Sequence, residues 1–114
     1  MNTIDELFHR LKKLELQQIS IRAAVKQTRK LLVAALDALP YDEYLKTLHW
    51  QYVRKAALKR AKYTCQSCSA VNVPLHVHHK SYYRRGHERR TDLIVLCEDC
   101  HKRVHNIKND RRLI

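Results

Sequence analysis

Two pairs of cysteines have the type and spacing of ligands to a metal ion. Cys65 and Cys68 are separated by two residues, as are Cys97 and Cys100, and 28 residues lie between the pairs. Each short spacer turns two thiolates toward one point, and two such knuckles complete a tetrahedral shell of four sulfurs around zinc. Because that shell has no position open to a substrate, the pattern predicts a structural Zn²⁺ whose binding stabilises the fold. Two redox-active dithiols are the alternative.

Histidines near these cysteines predict a second metal site. His78 and His79 end a short apolar–polar alternation, and His101 and His105 lie four residues apart in a segment that is typical of a helix. Residues four apart project from one helix face, and the zinc frame would bring the two segments together. His78, His101 and His105 are therefore predicted to hold a divalent ion that keeps open positions. Neighbouring strand residues point to opposite faces, so His79 stays free to act as a base if His78 binds the ion.

The segments that must position these side chains are mixed in type. Residues 73–77 alternate and residues 93–96 are apolar, which predicts two strands, and a helix is predicted from Glu98. Further upstream, apolar residues recur close to heptad spacing, interrupted by Gln18 and Thr28, without Gly or Pro before Pro40. This pattern predicts one long helix from about Thr3 to Leu39. A second helix is expected after Pro40, capped by Asp42. Its inner face is predicted to contain Leu45, Leu48, Tyr52 and Ala56, with Trp50 as a nearby packing anchor.

The net charge of +12 indicates a polyanionic partner. Residues 1–40 carry a net charge of +3 and residues 41–114 a net charge of +9, so most of the positive charge accompanies the cysteines and histidines. No strongly basic amphipathic anchor is visible, and therefore nucleic acid fits this charge better than a membrane surface does. The other reading is a protein that its charge simply keeps soluble.

The stretch CQSC…LHVHHKSYYRRGHE…DLIVLCEDCHKRVH resembles the HNH endonuclease family, whose ββα-metal (His-Me finger) fold often carries a four-cysteine zinc frame. The resemblance covers roughly residues 44–105. It implies an α+β fold, in which a small ββα-metal core with zinc knuckles follows a long N-terminal helix and a second helix. Residues 1–40 are then an N-terminal helical extension and residues 41–114 an HNH nuclease domain.

By position in the motif, the resemblance makes His79 the general base, His78 the adjacent metal ligand and His101 the final histidine. His105 matches the extra helical ligand of members with an HxxxH motif. Asp92 stands where the family usually has an asparagine that orients the base. An aspartate can accept a hydrogen bond from an imidazole N–H but cannot donate one. Asp92 is therefore expected to orient His79 or to join the metal shell.

The reaction that this resemblance implies is hydrolysis of phosphodiester bonds in DNA with one metal ion. His79 would take a proton from the attacking water, and a catalytic Mg²⁺, Mn²⁺, Ni²⁺ or Zn²⁺ would stabilise developing charge. The side chains expected to contact the DNA phosphate backbone are Lys80, Arg84, Arg85, Arg89 and Arg90. The alternative is a zinc-stabilised nucleic-acid-binding module without catalysis, which would have no need of an open three-histidine site.

The apolar stripe of the N-terminal helix needs a covering partner. The rest of the chain, the same helix in a homodimer, and another protein all remain open. No apolar stretch approaches the roughly 20 residues that span a bilayer, so no membrane partner is expected. The acidic, amphipathic start MNTIDELFHR is not typical of a secretory signal. Paired cysteines in a reducing compartment favour metal over disulfide, and we expect a cytoplasmic protein.

Overall fold

The computed structural model describes residues 3–110, with side chains described as far as Asn106. Within these residues, four α-helices and two strands follow one another along the chain. They are α1 (Thr3–Asp37), α2 (Tyr41–Tyr44), α3 (Leu48–Arg60), β1 (Leu75–His79), β2 (Leu93–Cys97) and α4 (Glu98–Asp110). A short 3-10 helix, Arg90–Asp92, leads into β2. The predicted α+β class, with a ββα unit after a long helix and a second helical segment, is confirmed.

Strands β1 and β2 form an antiparallel pair that places the two halves of the candidate site side by side. Leu75 lies opposite Cys97, and His79 lies opposite Leu93. The strand predicted over residues 73–77 begins and ends two residues later, because Pro74 cannot donate to a ladder and bounds the strand instead. Helix α4 starts directly after β2, with Glu98 and Asp99 in its first turn, where acidic side chains favour the helix dipole.

The single helix predicted after Pro40 is instead two helices. The side chain of Thr47 accepts a hydrogen bond from the backbone N–H of Trp50 at 3.1 Å, which caps α3 and starts it afresh. Asp42 is not a cap, since it lies inside α2. The predicted inner face is also wrong at Leu48 and Tyr52, which are 89% and 77% exposed. The cap at Thr47 sets the rotation of α3.

The core that supports the site lies between α3 and the strand pair. Its buried members are Leu36, Tyr44, Trp50, Ala57, Leu93 and Val95. A second buried cluster consists of three cysteines and one apolar residue, namely Cys65, Cys97, Cys100 and Leu96. The apolar surface buried in so small a cluster stabilises little by itself, and a metal ion bound by its thiols would add to the stability of the fold.

The chain divides into two compact units, the first ending at Ala35 and the second beginning at Leu36. Within the first unit, α1 exposes its apolar stripe, with Leu7, Leu11 and Leu14 each more than half exposed. Among the residues described, no helix has the length and apolar character to cross a bilayer. The functional division into an extension of residues 1–40 and a nuclease domain of residues 41–114 stays a prediction.

Candidate active site

The four cysteines converge as their spacing predicts. Their sulfur atoms all lie within 4.8 Å of one another, and the Sγ atoms of Cys68 and Cys97 are 3.7 Å apart. Sulfurs at the corners of a tetrahedron around zinc, with Zn–S bonds of 2.3 Å, would be about 3.8 Å apart. The donor set and its spacing therefore fit a structural zinc ion.

Backbone hydrogen bonds shape the first knuckle and favour the thiolate of Cys65. Ser69 adopts a positive φ of 67° just after Cys68, and its N–H donates to the Cys65 carbonyl at 2.9 Å. Burial opposes ionisation of the Cys65 thiol, but backbone N–H groups of Cys68, Cys97 and Ser67 outweigh it and lower its pKa to about 6. Gln66 joins the knuckle to β2, since its N–H donates to the Val95 carbonyl and its Oε1 accepts from the Val95 N–H, both at 2.8 Å.

Three imidazoles form the second group of potential ligands. One nitrogen from each of His78, His101 and His105 lies within 4.8 Å of the others, and the Nε2 atoms of His101 and His105 are 2.9 Å apart. Nitrogens bound to one ion at about 2.1 Å, in neighbouring coordination positions, would be about 3 Å apart. The set thus fits a divalent ion. Burial, with His105 and His76 nearby, lowers the pKa of His101 and favours the neutral form that binds metal.

The structure brings together all three predicted histidine ligands because they come from adjoining elements. His78 is on β1 and is 6% exposed, while the other two lie one turn apart on α4. The ring of His76, on the same strand, stacks on His101 with centroids 4.8 Å apart. A pocket of about 300 Å³ opens over the group. Its lining includes the three ligands together with Tyr41, Trp50, Arg54 and Tyr82.

His79 lies on the opposite face of β1 and is 1% exposed. Its Nδ1 is 2.9 Å from the Tyr41 hydroxyl and its Nε2 is 2.9 Å from a carboxylate oxygen of Glu88. The Trp50 ring stacks on the imidazole with centroids 4.7 Å apart. The predicted base therefore has both nitrogens hydrogen-bonded within the protein, and it does not line the pocket of the three ligands.

Glu88 is a site residue that the sequence interpretation missed. Its side chain is fully buried, and besides His79 it accepts from the Tyr44 hydroxyl and from the Gly86 N–H. Gly86 has a φ of 96°, a conformation that favours glycine and brings this N–H to the carboxylate. Burial raises the pKa of Glu88, but hydrogen bonds from His79 and Tyr44 outweigh that effect and lower it to about 2. The one available signal was a single acid within the basic loop YYRRGHERR.

Asp92 does not take either role expected of it. Its carboxylate accepts from Arg84 Nε at 2.8 Å and from a second guanidinium nitrogen at 2.5 Å, and also from the Arg89 N–H at 2.9 Å. These bonds hold the pKa of the carboxyl below its usual range, with the Arg84 side chain as the largest cause. Only the Asp92 backbone carbonyl reaches toward the base, accepting from the Lys80 N–H at 2.7 Å. The carboxylate thus organises the loop, and Glu88 holds the histidine.

The five predicted phosphate contacts separate into two kinds. Arg84 is engaged by Asp92, and Arg85 donates to carbonyls at the end of α1. Lys80, Arg89 and Arg90 have exposed side chains. Phosphate contact for these three stays a prediction, whereas Arg84 and Arg85 have hydrogen-bond partners within the protein.

A two-stranded antiparallel sheet followed by a helix, with a four-cysteine cluster and imidazoles converging from strand and helix, defines the ββα-metal class. Residues 65–107 match the family model described as HNH endonuclease. The chain therefore carries an HNH endonuclease domain over those residues, which confirms the resemblance stated from the sequence. This domain supports a nuclease-type or nucleic-acid-related function.

One curated relative is similar to part of the chain. Over 61 residues the chain is 36% identical to Zorya protein ZorE of Escherichia coli. The matched region is 48% of this chain and 16% of that protein, so the chain spans about a sixth of its relative's length. No solved structure matches the chain.

Proposed function

We propose that the protein is a metal-dependent endonuclease that hydrolyses phosphodiester bonds in DNA. The observation that carries this proposal is the convergence of His78, His101 and His105 within 4.8 Å on an open pocket, within a domain of the HNH endonuclease family. A structural zinc site needs no such second group, and an open set of three nitrogen ligands is typical of a catalytic ion rather than a structural one.

The histidines and cysteines would have separate roles in the proposed reaction. His78, His101 and His105 would hold a divalent ion, which when bound supplies Lewis-acid stabilisation of charge on the phosphate and the leaving oxygen. His79 is the proposed general base, held by Tyr41 and Glu88 beside the pocket. The four cysteines would hold the zinc that joins the two knuckles and so keeps β1 against α4.

The exposed cations Lys80, Arg89 and Arg90 are the proposed contacts to the phosphate backbone. Arg54 joins them as a candidate, because it lines the pocket beside the three imidazoles. Contacts of this kind position a duplex without reading its sequence, which favours an enzyme with little sequence preference of its own.

The second candidate is a zinc-stabilised nucleic-acid-binding module without catalysis. Two observations favour it: both nitrogens of His79 are hydrogen-bonded within the protein, and Asp92 at the family's asparagine position is bound by Arg84. Against it stands the three-imidazole group, which binding to DNA alone would not require.

For the N-terminal helix we propose parallel self-association with a second copy. Along α1, Gln18 interrupts the apolar seam, and in a parallel, in-register pair it would face its own counterpart. In the antiparallel arrangement with the two helices fully overlapped it would face Ile21, an unfavourable pairing of a polar with an apolar side chain. The parallel register also brings Arg10 of one helix near Glu15 of the other, an attractive pair at the flanks of the seam. The exposed seam residues are Ile4, Leu7, Leu11, Leu14, Ile21, Val25 and Leu32.

Cleavage of supercoiled plasmid DNA across Mg²⁺, Mn²⁺, Ni²⁺ and Zn²⁺ tests the nuclease. The native chain is expected to nick or linearise the plasmid with at least one ion, and His105→Ala and His79→Ala are expected to lose most of that activity. His9→Ala, which removes an exposed histidine of α1, is the matched control and should cleave normally. Tight DNA binding without cleavage by any ion would favour the second candidate. Unchanged nicking by His79→Ala would eliminate that residue as the base.

A further inference from the structure

Three side chains form a hydrogen-bonded row that connects a buried carboxylate to the pocket. The order is Glu88, His79 and Tyr41, with 2.9 Å between Glu88 Oε2 and His79 Nε2 and 2.9 Å between His79 Nδ1 and the Tyr41 hydroxyl. The side chains of Glu88 and His79 are fully buried, while Tyr41 is 37% exposed. The row thus leads from the interior to the surface.

The carboxylate end of the row fixes the tautomer of the imidazole. An ionised carboxylate only accepts hydrogen bonds, so Nε2 of His79 must carry the proton that it shares with Glu88. In the neutral ring Nδ1 is then an acceptor, and the Tyr41 hydroxyl donates to it. The tautomer is therefore set by Glu88, nine residues along the chain, and not by position 92, to which the family resemblance assigned that role.

Tyr41 is the member of the row that borders the three-imidazole pocket. It lines the pocket together with His78, His101 and His105, whereas His79 and Glu88 do not. Tyr82 packs edge-on against the Tyr41 ring, with centroids 5.1 Å apart, and it stacks on His79 as well. These contacts cover the imidazole, and Tyr41 is the pocket-lining residue that is hydrogen-bonded to it.

We infer that Glu88 is the positioning residue of this site and that Tyr41 is the group through which His79 acts on the pocket. The inference rests on the proposed nuclease function and deepens it. Glu88 aligns His79 and presents its acceptor nitrogen to Tyr41. The Tyr41 hydroxyl would pass its proton to Nδ1 of His79 while it takes a proton from the reacting water. The oxygen of that water would form the new bond to phosphorus as the bond to the leaving 3′ oxygen breaks, and the leaving oxygen would take a proton from solvent. This arrangement of carboxylate, imidazole and hydroxyl follows the logic by which a buried acid orients a histidine toward a hydroxyl in hydrolases.

Glu88 also has structural partners, and a test must separate the two roles. Its carboxylate accepts from the Tyr44 hydroxyl and from the Gly86 N–H, so its loss disturbs the fold around Gly86 in addition to His79. Tyr44→Phe removes one hydrogen bond from the same carboxylate and leaves the bond to His79 in place. This substitution is therefore the matched control for any effect of Glu88 that is only structural.

The kinetic test compares Glu88→Gln, Tyr41→Phe and Tyr44→Phe in the zinc-loaded full chain. The first two are expected to lower kcat for plasmid nicking by about 100-fold, the scale of a lost proton-transfer group. KM for DNA and the zinc content should stay unchanged in both. Tyr44→Phe should retain kcat even where its thermal midpoint falls. Equal losses of kcat in Glu88→Gln and Tyr44→Phe would show a structural role only, and a fully active Tyr41→Phe would remove Tyr41 from the chemistry.

A second readout does not depend on activity. Long-range ¹H–¹⁵N correlation of the histidine rings in the zinc-bound protein should report His79 as protonated at Nε2 alone. Glu88→Gln should lose that single tautomer, and Tyr44→Phe should keep it. A mixed tautomer in the native chain would overturn the positioning role outright. If the native chain fails to cleave DNA with every ion tested, the proposed nuclease function and the role of Tyr41 both fail. The ring spectra would still decide whether Glu88 positions His79.

Discussion

Arg85 donates hydrogen bonds from its side chain to carbonyls at the end of α1, although it was predicted from the sequence to contact the DNA backbone. Its Nη2 donates to the carbonyls of Leu36, Asp37 and Leu39 at 3.3, 2.6 and 2.6 Å, and its guanidinium lies 5.3 Å from the centre of the Tyr44 ring. The last carbonyls of a helix have no partner within it, so a cation there satisfies them and favours the dipole.

Arg85→Ala is therefore expected to lower the free energy of unfolding by about 2 kcal/mol, the scale of hydrogen bonds made by a charged group. Urea unfolding monitored by circular dichroism measures this change. Arg89→Ala, an exposed neighbour in the same loop, is the control and should unfold like the native chain. Native stability in Arg85→Ala would mean that the three carbonyl contacts contribute nothing.

Substitution of the exposed arginines is expected to change DNA binding and not the free energy of unfolding. Arg89→Ala and Arg90→Ala should each weaken binding to a short DNA duplex and reduce the salt dependence of log Kd by about 1, because each removes one neutralised phosphate. Fluorescence anisotropy over a range of salt concentrations measures both quantities. Arg85→Ala should leave the salt slope unchanged. A slope that falls as far in Arg85→Ala as in Arg89→Ala would return Arg85 to the DNA interface.

At the scale of secondary structure, the strand pair and α4 depend on the cysteine cluster. Cys97 ends β2 and Cys100 lies in the first turn of α4, while Cys65 reaches them from the first knuckle. Leu96 is the buried apolar residue of this cluster among the residues described, and Ala70, Leu75, Ile94 and Val104 pack against it half-buried. Structural zinc contributes about 10–16 kcal/mol in small zinc domains, more than such a cluster can supply by burial.

Cys97→Ser, or a strong chelator added to the native chain, should therefore abolish cooperative unfolding of the strand pair and α4. Amide hydrogen exchange of β1 and β2 measures this loss. Val71→Ala, at an exposed position just after the first knuckle, is a control that leaves all four sulfurs in place. The arrangement of the three imidazoles should be lost together with the strand pair and α4, because His101 follows Cys100 directly. Slow exchange that survives chelation would show that the apolar core alone holds the sheet.

The elements that could be predicted are those fixed by short-range patterns. Two matched CxxC knuckles set the sulfur cluster, and the spacing of His101 and His105 on one helix face set two of the three nitrogen ligands. The break between α2 and α3 was missed, because Thr47 can cap a helix or lie inside one, and only tertiary packing selects the cap. The exposure of Leu48 follows from that choice, whereas the predicted packing of Trp50 is confirmed, since Trp50 is 5% exposed.

The row of Glu88, His79 and Tyr41 could not be predicted for a different reason. Its bonds join residues nine and 38 positions apart, and they depend on how a polar loop folds around Gly86. The general rule that a buried carboxylate pairs with a donor does not say whether Glu88 in the loop or Asp92 after it contacts the imidazole. Asp92 was the natural candidate by its position in the motif, yet Arg84 and the Arg89 N–H occupy it.

At the scale of the whole molecule, the composition of α1 requires an explanation that the ββα domain does not give. The helix runs for 35 residues, yet Leu36, in the second compact unit, is its buried residue. Helices in proteins gain most of their stability by packing an apolar face, so an exposed seam of this length favours association. Two copies joined through α1 would carry two nuclease sites in one particle, an arrangement suited to cutting both strands of a duplex.

A cysteine at position 7 tests this arrangement and its direction together. In a parallel, in-register pair each Leu7 lies beside its counterpart, so Leu7→Cys should form a disulfide-linked dimer under mild oxidation while zinc protects the native thiols. The antiparallel pair would set Leu7 against Leu32 and leave two cysteines at position 7 far apart. Leu16→Cys, on the outer face of the predicted seam, is the matched control and should not crosslink.

Light scattering should give twice the 13.6 kDa mass of the chain for the native protein and the single mass for Leu14→Lys, which places a charge within the seam. Plasmid cleavage by the two forms then connects assembly to function, because the dimer should linearise DNA in one encounter whereas Leu14→Lys should only nick it. A native chain of single mass, with no crosslink through Leu7→Cys, would exclude self-association and leave another protein as the partner of α1.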